Sequence, residues 1–407
     1  MPRRLTCPYC YETFTAREIR FRCNSRLSRT QKRCARVRDQ VLDDRMGRRP
    51  AHELGPDFAG DGRKPTAVCQ TCDGETTYRI CPVCHSLLPV QFGMVENRLI
   101  AMVGAKASGK TVYMTVLLHE MMNQVGADFG AFLMGSDDNT MRRYSSDYQD
   151  RLYRDRQMFL GTRTAATNDN RVEPLVFRFG LRRRHLFGDR PQHTVLSFFD
   201  TAGEDFSSRE SVELNTRYLA NADGIVLLLD PLQMPGARDS ALPGTALPGT
   251  EGLDAPVNVL GRVTNMLLAP QAGRARPGIP GLPGKSPQKV DTPVAVVFSK
   301  LDAFWHLLDP GSPLRAHPPG GGRFAVEDSL SGHEEVRQLL KDWDGVPIDQ
   351  ILENTYARYR YFGVSALGHS PTPDARVAPT GIQPYRVADP LLWLLSEFGS
   401  VPKTGRG

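Results

Sequence analysis

The chain has 407 residues, 51 Lys and Arg against 45 Asp and Glu for a formal net charge of +6, 40% hydrophobic residues and 24% charged residues. That length exceeds one compact domain, and that composition excludes wholesale disorder. No apolar run approaches the roughly 18 residues of a membrane span, and the start, MPRRLTCPYC, lacks the apolar stretch of a secretory signal. The sequence therefore predicts a cytoplasmic protein without membrane attachment.

The chain opens on a basic, Cys-rich segment from Met1 to about Phe92. Its first 50 residues hold 14 Lys and Arg against 5 Asp and Glu, a net +9 that leaves −3 over the remaining 357. All eight cysteines lie before His85. In a long chain without an export signal, such a set fits metal better than disulfides. Cys7-Pro-Tyr-Cys10, Cys69-Gln-Thr-Cys72 and Cys81-Pro-Val-Cys84 are three Cys-x-x-Cys knuckles, and Cys23 and Cys34 complete eight thiolates, enough for two tetrahedral Zn²⁺ sites. A sequential pairing, Cys7/Cys10/Cys23/Cys34 with Cys69/Cys72/Cys81/Cys84, and an interleaved one both satisfy the spacing. Four-thiolate sites leave no open position, so the metals would fold a zinc-ribbon-like module and do no chemistry. His85 is expected to stand aside.

From about Gly93 the pattern becomes α/β. Arg98–Val103 reads as a buried strand, followed by a glycine loop and a helix over Thr111–Gln124. Leu175–Leu181 and Thr194–Phe199 read as an antiparallel pair, and Gly224–Leu229 and Pro293–Phe298 as central parallel strands. Tyr361–Val364 reads as a last short strand. Helices are expected over Val257–Leu268, Gly332–Trp343 and Asp389–Phe398. The predicted fold is an α/β P-loop NTPase domain over residues 93–407, with a mostly parallel sheet and one antiparallel strand, preceded by the zinc module. Residues 231–292 form a Pro/Gly-rich insertion with the repeat Ala241-Leu-Pro-Gly-Thr, Ala246-Leu-Pro-Gly-Thr, and read as a surface loop outside the helix at 257–268.

Gly104-Ala105-Lys106-Ala107-Ser108-Gly109-Lys110-Thr111 matches the phosphate-loop pattern between a strand and a helix. Its glycines let successive amides face a phosphate at a helix N-terminus. Lys110 would reach the β- and γ-phosphates, Thr111 would ligate Mg²⁺, and Lys106 would add charge. Asp200-Thr-Ala-Gly203-Glu204 follows the next strand, Ser299-Lys300-Leu-Asp302 a later one, and Val364-Ser365-Ala366-Leu367 the last.

In that order the four motifs resemble those of Ras-like and translation-factor GTPases, the TRAFAC branch. The resemblance covers about Leu99 to Leu367. It implies that Asp200 holds the Mg²⁺ shell through water and that Gly203 contacts the γ-phosphate. It further implies that Asp302 reads guanine, that the Lys300 stem packs on the base, and that Ser365 and Ala366 present backbone to the guanine oxygen. Ser299 stands where the family usually has Asn. The architecture also looks like that of double-GTPase-type proteins of bacterial conflict systems, which often carry an N-terminal zinc module.

Glu204 stands where a Gln commonly orients the attacking water. A carboxylate adds charge beside the γ-phosphate and cannot donate as an amide does, so intrinsic hydrolysis is expected to be slow, with Lys110 and Glu204 as the candidate catalytic side chains. Thr162, Thr164 and Thr167 are all placed to be the threonine that closes over Mg²⁺, and Arg142, Arg143, Arg151, Arg154, Arg156 and Arg163 mostly read as a solvated helix face. The expected function is a guanine-nucleotide switch that engages a protein partner. A nucleic-acid-dependent NTPase using the basic module is the rival, and a non-hydrolysing scaffold the third reading.

Overall fold

The computed structural model describes residues 4–27, 31–47, 50, 52–159, 174–183, 190–200, 216–249, 254–272 and 289–404; the side chains at 182–183, 190–192, 199–200 and 270–272 fall outside that description. Seven strands form the central sheet: β1 (Glu96–Gly104), β2 (Ala131–Gly135), β3 (Leu175–Arg183), β4 (Arg190–Asp200), β5 (Gly224–Leu229), β6 (Val294–Phe298) and β7 (Tyr359–Gly363). Their spatial order is β2-β3-β4-β1-β5-β6-β7. Only β3 opposes the rest, antiparallel to both β2 and β4, while the other pairs are parallel. The expected antiparallel pair and parallel centre are both present.

The middle strands form because they are apolar on both faces, as a parallel sheet sandwiched between helices requires. Every residue of β5 is buried. Its side chains alternate: Ile225, Leu227 and Leu229 join one core, and Val226 and Leu228 the other. Helix α1 (Lys110–Met122) and helix α5 (Asp389–Glu397) cover the Val226 face, while α2 (Pro256–Ala272), α3 (Val326–Asp342) and α4 (Val346–Thr355) contribute to the opposite core.

Several elements differ from the expectation. Strand β2 is five residues long, with Leu133 buried and Phe132 and Met134 exposed, too short for its alternation to stand out. Residues Tyr144–Arg154 form a π-helix, and α4 follows α3 after a turn of three residues. Helix α3 begins at Val326, six residues before the expected start, with Glu327 and Asp328 in its first turn, where acidic groups complement the helix dipole. Within the Pro/Gly-rich insertion, residues Pro231–Gln233 and Pro235–Asp239 are helical and packed, and α2 extends the expected helix at both ends; residues 273–288 lie outside the described part.

The Cys-rich segment packs against the sheet. Its four-stranded sheet orders Asp57–Ala59, Arg20–Arg22, Arg79–Ile80 and Leu87–Leu88. Arg79 is fully buried beneath it, its guanidinium donating to the carbonyls of Gly62, Lys64 and Phe92, and burial pushes its pKa down to about 10. Leu5, Phe14, Ile19 and Phe92 share one core with Val176 of β3 and Val195 of β4. A second contact is Tyr11, whose ring lies 5.0 Å from that of Tyr218 in the helical stretch 216–220. The Tyr218 hydroxyl donates to the Ile100 carbonyl at 2.9 Å and accepts from the Met102 amide at 3.0 Å, both on β1.

Tyr218→Phe deletes that hydroxyl and leaves the ring. It should lower the unfolding free energy by roughly 1 to 2 kcal/mol, the worth of two net hydrogen bonds; urea denaturation followed by tryptophan fluorescence measures it, and an unchanged midpoint would remove the hydroxyl from the account.

Candidate functional site

Parallel strands in register bring their C-terminal ends to one sheet edge. Gly104 lies opposite Leu228, Asp200 opposite Met102, Leu229 opposite Phe298, and Phe298 opposite Gly363. The segments leaving that edge carry the glycine loop, Asp230, Ser299–Asp302 and Val364–Ala366. In open α/β sheets ligands bind at this edge.

The glycine loop needs its glycines for space and for φ. A Cβ on Gly104 would lie 2.6 Å from the Leu228 carbonyl oxygen and 2.7 Å from Ser108 Oγ. Gly109 caps α1 at φ +85, and Ala107 also adopts a left-handed conformation at φ +59. The Ser108 amide closes the loop onto the Ala105 carbonyl at 3.3 Å. Lys110 begins α1 and is buried, with Nζ donating to the carbonyls of Gly104 at 2.9 Å and Ala105 at 3.2 Å, so its ammonium lies under the loop. Thr111 follows in the first turn, half-buried, and Lys106 is exposed.

Loops from the neighbouring strands brace this one. Ser299, buried, donates from Oγ to the Ser108 carbonyl at 3.0 Å and the Leu229 carbonyl at 3.3 Å. The hydroxyl thus ties the base loop to the phosphate loop without an amide. Lys300 sits at φ +58, and its Nζ reaches the Ala107 carbonyl at 3.3 Å and Asp230 Oδ2 at 2.5 Å. Asp302 and Ser365 meet directly: Ser365 Oγ donates to Asp302 Oδ1 at 2.6 Å. Ser365 is itself held by Tyr385, whose amide bonds the Ser365 carbonyl and whose carbonyl takes the Ser365 amide. Next to it Arg386, buried, pairs with Asp328 and with Asp389, and it donates to the Pro313 and Ala316 carbonyls. Burial raises the Asp389 carboxyl to about 6 against the pull of Arg386.

Of the expected site residues, the structure brings together Gly104 to Thr111, Ser299, Lys300, Asp302, Ser365 and the half-buried Ala366 at one edge. Asp200 ends β4 at that edge, with backbone alone described. Gly203, Glu204, Thr162, Thr164, Thr167 and Arg163 lie outside the described residues. Arg154 is exposed and pairs with Asp150 at 2.8 Å on the π-helix, whose other side buries Tyr144 and Leu152. Two contributors escaped the motif search. Asp230 is buried and ion-paired to Lys300, and Gln233 donates to the Lys106 carbonyl at 2.9 Å. A charged residue ending the all-apolar run 225–229 was the available signal for Asp230.

The cysteines gather as Cys7/Cys10/Cys81/Cys84 and Cys23/Cys34/Cys69/Cys72, the interleaved pairing, with the sulfurs of each set within 4.8 Å of one another. Cys7–Cys84 and Cys10–Cys81 are 3.8 Å apart, Cys34–Cys69 3.7 Å and Cys23–Cys72 3.5 Å. A disulfide would bring sulfurs to about 2.05 Å, whereas a tetrahedron with Zn–S bonds of about 2.3 Å has edges of about 3.8 Å. Each set therefore fits one Zn²⁺. The three knuckles share one backbone form: the residue after the second cysteine (Tyr11, Asp73, His85) has φ near +60, and its amide bonds the carbonyl of the first cysteine. His85 stands outside both sets and pairs through Nδ1 with Asp39 Oδ2 at 2.9 Å. Asp39 also holds Arg22 and caps the helix Gln40–Met46; its own burial opposes ionisation, but Arg22, the Leu42 amide and His85 outweigh it and lower its pKa.

A glycine loop between β1 and α1, a Ser-Lys-x-Asp segment bonded to it and a Ser-Ala loop bonded to that segment define a P-loop GTPase of the TRAFAC type. The Double-GTPase 2 family model matches residues 98–267. Over a longer span, the chain is 32% identical over 359 residues to SaeC of Mycolicibacterium smegmatis, a protein named for a scaffolding and assembly role in ESX-1; the match spans 82% of this chain and 84% of SaeC. The chain belongs to the double-GTPase family of P-loop GTPases. Among solved structures, it is similar to a bacterial selenocysteine-specific elongation factor EF-Sec, at 12% identity and TM-score 0.27 over 74% of this chain and 29% of that one. It is also similar to the GTPase-like domain of S. cerevisiae Ski7, at 13% identity and TM-score 0.31 over 75% of this chain and 50% of that one. Those overlaps are loose, and the assignment does not rest on them. No described helix is long and apolar enough to cross a membrane.

Two zinc ions per chain are the expected metal content by atomic absorption. The first tetrad lies in the core shared with Val176 and Val195, and the second forms a separate small cluster with Phe58. Cys84→Ser should therefore lower the melting temperature of the whole chain by several degrees, and Cys72→Ser should leave it nearly unmoved while releasing one zinc. Equal effects would contradict that partition.

Proposed function

We propose that this protein is a Mg²⁺-dependent guanine-nucleotide switch that organises assembly of a protein complex, with the zinc-bearing segment as part of its docking apparatus. The observation that carries the reading is the joining of three loops: Ser299 and Lys300 bond the phosphate-loop carbonyls, and Asp302 receives Ser365. On this reading the second Asp302 oxygen and the carboxylate charge would accept from the paired N–H donors of guanine, which adenine lacks. Lys110 would meet the β- and γ-phosphates, Thr111 the Mg²⁺, and Asp200 its water shell.

Hydrolysis is slow on this reading, because Glu204 supplies a charge where an amide would orient water. The scaffolding and assembly role in the name of SaeC supports a protein partner in preference to a conflict-system role. The basic face that favoured nucleic acid is partly consumed internally: Arg22 pairs with Asp39, Arg20 with Asp57 and Arg38 with Asp43. Fewer guanidinium groups are then left for phosphates, and a protein surface is the better-supported target.

Equilibrium binding of labelled GTP and ATP to the zinc-replete chain with Mg²⁺ tests the reading. GTP should be preferred by at least about a hundredfold, since a half-buried carboxylate that a bound base covers without offering it donors costs roughly 3 kcal/mol. Asp302→Ala should abolish that preference, and Lys110→Ala should weaken both nucleotides. Equal binding of ATP and GTP by the wild-type chain would reject the guanine assignment.

A further inference from the structure

Three successive phosphate-loop carbonyls each take a donor from outside the loop: Lys106 from Gln233 Nε2 at 2.9 Å, Ala107 from Lys300 Nζ at 3.3 Å, and Ser108 from Ser299 Oγ at 3.0 Å. A peptide unit is planar, and the described residues contain no cis peptide bond. Anchoring a carbonyl on one side therefore turns the amide of the next residue to the other. The three donors together fix the peptide units that carry the amides of Ala107, Ser108 and Gly109; the Ser108 amide turns onto the Ala105 carbonyl, and those of Ala107 and Gly109 are the ones left to face a phosphate.

Two of the three donors depend on the turn after β5. Gln233 donates directly; it is only 6% exposed, so its amide group has little room to swing. Asp230 acts through Lys300. Its side chain is 0% exposed, one oxygen accepts the Leu232 amide at 3.0 Å, and the other meets the Lys300 ammonium at 2.5 Å. Fixed at both oxygens, the carboxylate is a rigid post. Lys300 needs one, because a left-handed backbone costs a residue with a side chain about 1 kcal/mol and persists only where its surroundings hold it. The ion pair with Asp230 also fixes the end of the Lys300 stem, whose methylenes then lie between the phosphate loop and the base loop.

We propose that Asp230 and Gln233 are positioning residues of the nucleotide site, Gln233 for the phosphate cradle and Asp230 for the Lys300 stem against the base; the proposal rests on the GTPase reading above. Neither touches the nucleotide. Their effects should separate: losing Gln233 loosens phosphate contacts common to all nucleotides, and losing Asp230 also loosens the wall that selects the base.

The test is titration of GDP and ADP into the full, zinc-replete chain with Mg²⁺, alongside nucleotide-free melting temperatures. Gln233→Leu should weaken GDP about tenfold, as expected where a part-buried carbonyl loses its donor and its peptide unit is freed to turn, with the ratio of GDP to ADP affinity unchanged. Asp230→Asn retains an acceptor for Leu232 but loses the charge, and should lower the GDP to ADP ratio about tenfold. Combined with Lys300→Met it should lose little more than either substitution alone, since both break one pair. A merely structural role would shift melting temperature and leave GDP affinity of the folded chain, as well as the ratio, alone. Wild-type affinity in Gln233→Leu, or an unmoved ratio in a folded Asp230→Asn, overturns the proposal; if Asp230→Asn fails to fold, Gln233→Leu and the Lys300→Met ratio decide it. A wild-type chain that binds neither nucleotide overturns the GTPase reading itself.

Discussion

A loop that presents its amides to a phosphate must find donors for the carbonyls on its other side, because buried backbone groups cannot be left unpaired without a cost of about 1 to 3 kcal/mol each. This constraint organises the nucleotide edge. Lys110 takes the first two carbonyls, of Gly104 and Ala105, and Gln233, Lys300 and Ser299 take the next three. Those donors come from α1, from the turn after β5 and from the loop after β6. Parallel strands that end in register bring these donors to the loop: β5, buried throughout, lies between β1 and β6, with Leu228 opposite Gly104 and Leu229 opposite Phe298.

The substitution of Ser299 for the usual asparagine takes on a different meaning in this setting. An amide braces such a loop with two groups, and the serine hydroxyl has only one donor. Here that donor faces two carbonyls, of Ser108 and Leu229, at 3.0 and 3.3 Å. Lys300 and Asp230 add to that bracing. A change that looks like a loss of grip in the motif is balanced by an ion pair outside it.

Much of the fold could be read from the chain, and the reasons for the gaps are specific. Runs such as 225–229 and 294–298 announce buried parallel strands because both faces must be apolar, and the glycine loop announces itself because Gly104 admits no Cβ. Strand β2 gave no such signal: only Leu133 of its five residues is buried, and its place comes from pairing with β3. The cysteine pairing was likewise undetermined. Knuckle spacing names ligands but not partners, and only the folded positions of the sulfurs join Cys7 and Cys10 to Cys81 and Cys84, with the second set nested between them in sequence. Asp230 and Gln233 belong to the same class, since their role exists only once a loop 127 residues away in sequence is folded against them.

The nested tetrads also bear on how the two parts of the molecule communicate. Tyr11 directly follows Cys10 and packs on Tyr218, and Asn221 donates to the Tyr11 carbonyl at 3.2 Å while Arg217 pairs with Glu12 at 2.9 Å. The first knuckle thus grips the helical stretch at which the chain returns from the segment after Asp200. Tyr218 in turn holds Ile100 and Met102, the latter two residues before Gly104. Strand β4 is itself held on β1 by a continuous ladder. Tyr218 adds a side-chain tie, with its ring against the residue that follows the first knuckle and its hydroxyl on the strand that carries the phosphate loop. Of the two tetrads, that of Cys7, Cys10, Cys81 and Cys84 is therefore the one joined to the nucleotide edge through Tyr11 and Tyr218, and the second lies in a cluster of its own.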